Sequence, residues 1–332
     1  MGTALRFVSE PLSEAENLSL VATFRAQGWC CLKDVFERDS VAQFRRELLA
    51  KLQPSTDGKG RWILPRDAPE LVAPVLAPRL RAFIPQLLTP AHPRGEPSLA
   101  QLFELAWQAE PGPLEAQGWH RDRSGGAKVS GDVSAPEDDC YRFPEAVHCT
   151  AYYRDMDIDA AGPAPGGTEI LSGSHLDASC PRPASGVVGG WQSARTDGEE
   201  LTTQAPTTSF APRAQDVIVW DQRCVESSGS DVVNSATSCS TVEACLGRCW
   251  HRRGPFVPHA KAVDNRRLMS IFGFHQTQMF RGTGYEKPYE MPPALAHAWA
   301  RASAEGEHEI AGMLGGRWSA ESVLRGLEKA KM

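Results

Sequence analysis

Apolar and polar positions follow two different periodicities along this chain, and the first is that of a helix. An acidic first turn begins at Ser13, and Gly28 stands where a glycine typically ends a helix. Between them the apolar residues recur at helical spacing, namely Leu18, Leu20, Val21 and Phe24. The pattern predicts a helix up to Gly28, followed by a short apolar strand over 29–32.

The same spacing returns after Asp39-Ser40, a pair that is suited to a helix N-terminus. It predicts a second helix, with its apolar side formed by Val41, Phe44, Leu48 and Leu49. The stretch 71–88 is also helical in pattern, but three prolines interrupt it. The first third of the chain is therefore expected to supply helices and one strand.

From Ser98 onward the pattern changes to short apolar or alternating runs that are separated by Gly- and Pro-rich turns. These runs predict strands over 99–107, 119–122, 146–153, 168–171, 216–220 and 268–274. Such strands favour an antiparallel barrel or sandwich. Residues 293–332 return to helical spacing. The pattern alone supports an α+β or mostly β fold.

Composition changes this picture mainly by exclusion. With 332 residues, 41% of them hydrophobic and 23% charged, the chain has enough apolar residues for a packed core. A net charge of −6 argues against a nucleic-acid-binding surface. The sequence contains no apolar run of membrane-spanning length and no apolar N-terminal leader. Nine cysteines without a Cys-x-x-Cys pair fit free thiols, so an intracellular, cytoplasmic location fits best.

The most informative stretch is Gly118-Trp119-His120-Arg121-Asp122. On a strand, His120 and Asp122 project from the same face. An imidazole and a carboxylate side by side are two of the three ligands in the 2-His-1-carboxylate site that suits non-haem Fe(II). His-x-Asp also occurs by chance, so the hypothesis depends on what lies downstream.

Three further segments follow it in order: 166–176, with Gly166-Gly167 and Gly173-Ser174-His175; 215–224, with the strand that starts at Asp216; and 250–255, followed by 264–268. Together with the opening helices and the Gly28-Trp29 strand, these motifs resemble the phytanoyl-CoA dioxygenase family of Fe(II)/2-oxoglutarate oxygenases. The resemblance covers roughly residues 15–280.

The resemblance implies a mostly β fold with flanking helices, built on a double-stranded β-helix (jelly-roll, cupin-like) barrel. It implies a catalytic domain over residues 1–290 and leaves 291–332 as a C-terminal helical extension. It also implies Fe(II), O₂ and 2-oxoglutarate as cosubstrate, with hydroxylation of a small or medium organic substrate. We expect no nucleic-acid or membrane partner.

The family pattern places the metal ligands at His120, Asp122 and His251. It places the 2-oxoglutarate carboxylate at Arg266, with Arg267 as the alternative. An arginine suits that role because its planar guanidinium binds a carboxylate through two hydrogen bonds. Adjacent residues of a strand face opposite sides, so only one of the two arginines can serve.

Other histidines and tryptophans have simpler interpretations. His175 fits a structural residue that fixes a loop, and His148 fits a buried core residue. His259 and His275 are spare candidates for the distal metal ligand. The side chains of Trp119 and Trp220 are expected to fill the core.

The segment 225–249 departs from the family pattern. It holds six serines and three cysteines, and without it the chain has the family's spacing up to His251. We therefore interpret 225–249 as an insertion loop. If it loops out, at a small entropic cost, His251 still reaches the metal. If it displaces His251, the chain is a catalytically impaired barrel that acts as a binding or scaffold module. A zinc hydrolase is a third, weaker hypothesis, because no nearby glutamate stands out as a general base.

Overall fold

The computed structural model describes residues 5–51, 53–54, 62–63, 74–88, 100–119, 146–154, 164–176, 207–209, 213–221, 224–225, 246–247, 249–257, 266–276, 296, 299–300 and 303–306. The helices and strands in chain order are α1 (Glu14–Gln27), β1 (Trp29–Leu32), α2 (Arg38–Lys51), β2 (Gln53–Pro54), β3 (Trp62–Ile63), α3 (Pro78–Leu88), β4 (Ala100–Pro111), β5 (Ala146–Tyr152), β6 (Ala164–Pro165), β7 (Thr168–Leu171), β8 (Thr207–Ser209), β9 (Val217–Asp221), β10 (Cys224–Val225), β11 (Leu246–Gly247), β12 (His251–Arg253), β13 (Phe256–Val257) and β14 (Arg266–Gln276).

Helix α1 forms where the sequence predicts it, and both of its ends are capped. The Ser13 side chain accepts a hydrogen bond from the Glu16 N–H, while the Glu16 carboxylate accepts one from the Ser13 N–H. At the other end Gly28 has φ +84°, a left-handed conformation that glycine adopts without strain. The chain therefore turns directly from α1 into β1.

A five-stranded antiparallel sheet, in the order β1-β9-β5-β14-β4, is the largest element of the fold. Its central strand β5 pairs with β9 on one side and with β14 on the other, so that His148 lies opposite Trp220 and Gly273. One face of the sheet packs against the three helices. This face, the outer face, includes Val147, Cys149, Val219, Leu268 and Phe272.

The helices cover the outer face with their apolar sides. Buried side chains from all three, including Phe24, Phe44 and Phe83, join the outer-face residues in one core. Burying an aromatic or aliphatic side chain of this size stabilises the fold by about 1.5–3 kcal/mol. The helix-side core is thus the main source of stability that the contacts identify. Ala296, which is helical, is also buried in it.

A three-stranded antiparallel sheet, in the order β12-β7-β8, faces the other side of the large sheet. In it His251 lies opposite Ile170 and Arg252 lies opposite Glu169. Ile170 packs against residues of the large sheet that include Trp220 and Met269. We call this side of the large sheet, with Cys31, His148, Thr150, Tyr152, Ile218, Trp220, Arg267, Met269 and Ile271, the inner face.

The fold is mostly β with helices on one side, as the sequence predicts. The strand over 268–274 is longer than expected, because pairing with β4 extends β14 to Arg266–Gln276. Within the described ranges no strand pairing joins the five-stranded and the three-stranded sheets into a closed barrel. Within the same ranges no helix is long and apolar enough to span a membrane. Most of the proposed extension 291–332 lies outside the described residues.

Candidate functional site

His251 lies on β12 with its side chain between the two sheets. The residue is 6% exposed, and its ring centroid is 5.6 Å from that of Trp220. Its strand neighbour Arg252 lies on the opposite side, because side chains alternate along a strand. The histidine that the sequence selects as the distal ligand is therefore directed between the two sheets and away from solvent.

One hydrogen bond determines the tautomer of His251. Its Nδ1 is 3.0 Å from the backbone carbonyl oxygen of Cys249. A carbonyl only accepts, so Nδ1 carries the proton and donates, and in the neutral ring the lone pair resides on Nε2. Metal-binding histidines usually have this arrangement, since the hydrogen bond orients the ring and makes the other nitrogen a better ligand.

The chain approaches His251 through the ends of the segment 225–249. Strand β10 pairs with β11, with Cys224 opposite Gly247 and Val225 opposite Leu246. The residues between them, 226–245, lie outside the described residues. The two ends of the segment are thus paired, and His251 is buried on β12.

The residues just before His251 are held by contacts with the first helix and the 172–176 turn. The Cys249 thiol donates to the Gly28 carbonyl oxygen at 3.3 Å, and the Trp250 N–H donates to the Ser174 hydroxyl at 3.0 Å. A Cβ on Gly28 would lie 2.7 Å from the Cys249 sulfur, so only glycine allows this approach. These contacts fix the start of β12.

His120 and Asp122 lie outside the described residues, and their positions remain predictions. The residue before His120 is described. Trp119 is buried, and its ring lies 4.6 Å from the guanidinium carbon of Arg252. Just upstream, Leu114 bridges to Phe256, and the Gln117 N–H donates to the Arg253 carbonyl oxygen at 2.9 Å. The segment that leads to His120 therefore runs alongside β12.

The two candidate arginines face opposite sides of β14. Arg267 is 2% exposed and lies on the inner face, whereas Arg266 is on the other side and partly exposed. The Nε of Arg267 donates to the Gly166 carbonyl oxygen, and one of its terminal amino groups donates to the Tyr152 hydroxyl at 3.2 Å. The structure thus places Arg267, the alternative candidate, on the side where His251 lies.

The Tyr152 hydroxyl links Arg267 to Thr168. The hydroxyl oxygens of Tyr152 and Thr168 are 2.7 Å apart, and the Arg267 guanidinium carbon lies 5.4 Å from the centre of the Tyr152 ring. The guanidinium, which is always charged, thus has a hydroxyl and a carbonyl group among its described contacts. No motif in the sequence indicates Tyr152 or Thr168, although the alternation along β5 could have placed Tyr152 on the inner face.

Other histidines have the roles that the sequence suggests. His175 is buried, and its Nε2 is 2.9 Å from the Arg25 carbonyl oxygen, so it fixes the turn after β7 against the end of α1. His148 is buried on the inner face, with its ring edge-on to Trp220 at 5.7 Å. His259 lies outside the described residues, and nothing is described of the His275 side chain.

Asp216 anchors the strand that carries Trp220. Its carboxylate accepts hydrogen bonds from the Asp34 and Arg213 N–H groups and lies 3.5 Å from the Lys33 ammonium. Burial raises the pKa of Asp216, and the Lys33 charge and the two backbone donors partly oppose that change. The group ties β9 to the turn after β1, and its role is structural.

Within the ranges that the structure describes, no three His, Cys, Asp or Glu side chains form a cluster that could hold a metal ion. His251 is the one predicted metal ligand that those ranges include. Its burial, its tautomer and its position on the same side as Arg267 are the features that bear on metal binding.

No protein-family model matches the sequence, and no curated protein matches it. Among solved structures, HygX from Streptomyces hygroscopicus with nickel, 2-oxoglutarate and hygromycin B bound is similar at a TM-score of 0.46 and 17% identity, covering 80% of this chain and 87% of that chain. The apo form of EctD from S. alaskensis is similar at a TM-score of 0.46 and 11% identity, covering 83% and 82%.

A third similar structure is the non-haem α-ketoglutarate-dependent epimerase SnoN from nogalamycin biosynthesis. Its TM-score is 0.42 at 18% identity, with 80% of this chain and 82% of that chain covered. TM-scores below 0.5 at such identities do not establish function, so any activity of this chain has to be inferred from its own residues.

Proposed function

We propose that this protein is an Fe(II)- and 2-oxoglutarate-dependent dioxygenase that hydroxylates a small or medium organic substrate. The proposal adopts the double-stranded β-helix arrangement that the sequence motifs imply, with the inner face as the site. The observation that carries it is the buried His251, whose proton is held on Nδ1 by the Cys249 carbonyl, on the same side of the sheets as the buried Arg267.

The described part of the proposed site suits a ferrous ion. His251 has the hydrogen-bonded tautomer that suits a ligand binding through Nε2. His120 and Asp122 would supply the other two ligands. In support, His120 directly follows Trp119, which packs on the residue next to His251, and consecutive Cα atoms are only about 3.8 Å apart.

Arg267, rather than Arg266, would bind the distal carboxylate of 2-oxoglutarate. Arg267 lies on the inner face and is 2% exposed, so its charge is shielded little by solvent. Tyr152 and Thr168 orient the guanidinium.

The bound ion and cosubstrate would supply the oxidising power for C–H hydroxylation. The chain's own residues would orient the reactants and exclude water. The apolar side chains between the two sheets, including Ile170, Ile218 and Met269, pack together and would keep water from this region. Polar contacts are stronger in such surroundings than in water.

The alternative of an impaired barrel requires that the segment 225–249 displace His251. The pairing of β10 with β11 and the burial of His251 favour the oxygenase instead.

The test is anaerobic titration of the protein with Fe(II) and 2-oxoglutarate, followed by the weak metal-to-ligand charge-transfer band in the visible. We expect the band in the wild type and in His175→Gln, and its loss in His251→Ala. Arg267→Gln should weaken 2-oxoglutarate binding about 10- to 100-fold, since a charge-assisted hydrogen bond contributes about 1.5–3 kcal/mol. The matched variant Arg266→Gln should bind normally. A folded wild type without the band would refute the proposal.

A further inference from the structure

Two polar atoms of the inner face have no hydrogen-bond partner among the described residues. They are the Thr150 hydroxyl oxygen and the Trp220 indole nitrogen, in residues that are 1% and 2% exposed. A buried polar group without a partner is costly, and native proteins contain few of them. Two on one face therefore call for an explanation.

Their positions relate them to the proposed site. Along the inner side of β5, Thr150 lies between His148 and Tyr152, and Tyr152 contacts Arg267. At the other end the Trp220 ring lies between the rings of His148 and His251, at 5.7 and 5.6 Å. Thr150 and Trp220 thus occupy the stretch of the inner face between Arg267 and His251.

The residues opposite Thr150 offer its hydroxyl no hydrogen-bond partner. Thr150 lies opposite Ile218 on β9 and opposite Ile271 on β14. A valine would have nearly the same shape as threonine without adding an unpaired polar group to this apolar row. The hydroxyl is therefore explained by something that the folded chain binds.

We propose that Thr150 and Trp220 donate hydrogen bonds to oxygen atoms of 2-oxoglutarate and so orient it between Arg267 and the metal. This inference rests on the proposed function. An indole N–H only donates, so its partner must be an acceptor, and every oxygen of 2-oxoglutarate is an acceptor. Successive inner-face residues of a strand are about 6.7 Å apart, comparable to the roughly 5 Å span of a five-carbon chain.

The test compares Thr150→Val with the wild type in two measurements: the affinity of the Fe(II)-loaded protein for 2-oxoglutarate under anaerobic conditions, and the melting temperature of the free protein. We expect about 10- to 100-fold weaker binding of 2-oxoglutarate. We also expect an unchanged or higher melting temperature, because no internal hydrogen bond is lost. Trp220→Phe, which removes the indole N–H, should weaken 2-oxoglutarate binding as well.

Ser270→Ala is the matched control on the outer face. The Ser270 hydroxyl is paired with that of Tyr153 at 2.6 Å. Its removal should lower the melting temperature and leave the affinity for 2-oxoglutarate unchanged. Thr150→Ser, which keeps the hydroxyl, should bind 2-oxoglutarate within a few-fold of the wild type.

The outcomes separate this inference from the proposed function. If the wild type binds Fe(II) and 2-oxoglutarate but Thr150→Val binds the cosubstrate equally well, the inference is wrong and the proposed function stands. A lower melting temperature or misfolding of Thr150→Val would likewise overturn the inference, because the hydroxyl would then have a structural partner. If the wild type does not bind 2-oxoglutarate at all, both are wrong.

Discussion

Two adjacent residues of β12, His251 and Arg252, face opposite sides of the three-stranded sheet and have opposite surroundings. On the side of the three-stranded sheet that faces away from the large sheet, Arg252 forms an ion pair with Glu169, and both side chains are at most 1% exposed. The Trp119 ring covers the guanidinium. On the inner side His251 lies beside Trp220, whose indole N–H has no partner among the described residues.

The difference shows how to separate structural from ligand-binding polar groups. Arg252 has a charged partner and an aromatic cover within the chain, so its guanidinium is paired without a ligand. The inner side combines a histidine in a metal-binding tautomer, a buried arginine and unpaired polar atoms. A buried charge paired with its counter-charge indicates a structural role, and the buried hydroxyl and indole groups without a partner on the inner side are the ones that we assign to a ligand.

The largest effect is expected from breaking the ion pair on one side only. Arg252→Met should lower the free energy of unfolding by about 3–5 kcal/mol, because it leaves the Glu169 carboxylate buried without its counter-charge. The measurement is urea denaturation at neutral pH.

The double variant Arg252→Met/Glu169→Met sharpens this prediction. Two apolar side chains of similar volume should recover most of the lost stability or exceed the wild type, since neither charge then has to be desolvated. If the double variant were as unstable as the single variant, Arg252 and Glu169 would depend on partners other than each other. The contrast between the two sides of the sheet would then fail.

A smaller effect is expected at Tyr152 and Tyr153, consecutive residues on the two faces of the large sheet. Tyr153→Phe removes the hydroxyl that pairs with Ser270 and should cost about 1–3 kcal/mol of unfolding free energy. It should not change binding of 2-oxoglutarate. Tyr152→Phe should weaken binding of 2-oxoglutarate several-fold, because the hydroxyl orients Arg267.

Chemical denaturation and 2-oxoglutarate titration of both tyrosine variants check this prediction. Weaker 2-oxoglutarate binding in Tyr153→Phe, or normal binding in Tyr152→Phe, would contradict the assignment of the two faces.

How much the sequence predicts depends on whether the signal is local. Helix α1 is predicted to within a residue or two, because its acidic first turn and Gly28 are local features. The role of His251 as a ligand stays a prediction that rests on a motif, and only its burial and its contacts are described. The choice between Arg266 and Arg267 cannot be made locally, because the alternation along β14 gives two equivalent faces until β5 pairs with it. Thr150 and Tyr152 have no local signal for the same reason, since only the packing of the two sheets distinguishes the inner face from the outer face.

The smallest effect concerns Cys31, which lies on the inner face next to the outer-face Cys30. Burial raises the pKa of Cys31 to about 12, with the Asp216 charge adding to the effect, so the thiol stays protonated at neutral pH. Because the pKa of Cys31 is higher in the folded than in the unfolded protein, the protonated thiol contributes fully to the stability of the fold at pH values below its unfolded-state pKa. That contribution is lost as pH rises from about 9 towards 12. The unfolding free energy should therefore fall between pH 8 and pH 10, and by about 1 kcal/mol less in Cys31→Ala.

If Cys31 were alkylated by iodoacetamide in the folded protein at pH 8, the inner face would be open to solvent. The unpaired Thr150 and Trp220 atoms would then bind water, and the contrast on which the site rests would disappear.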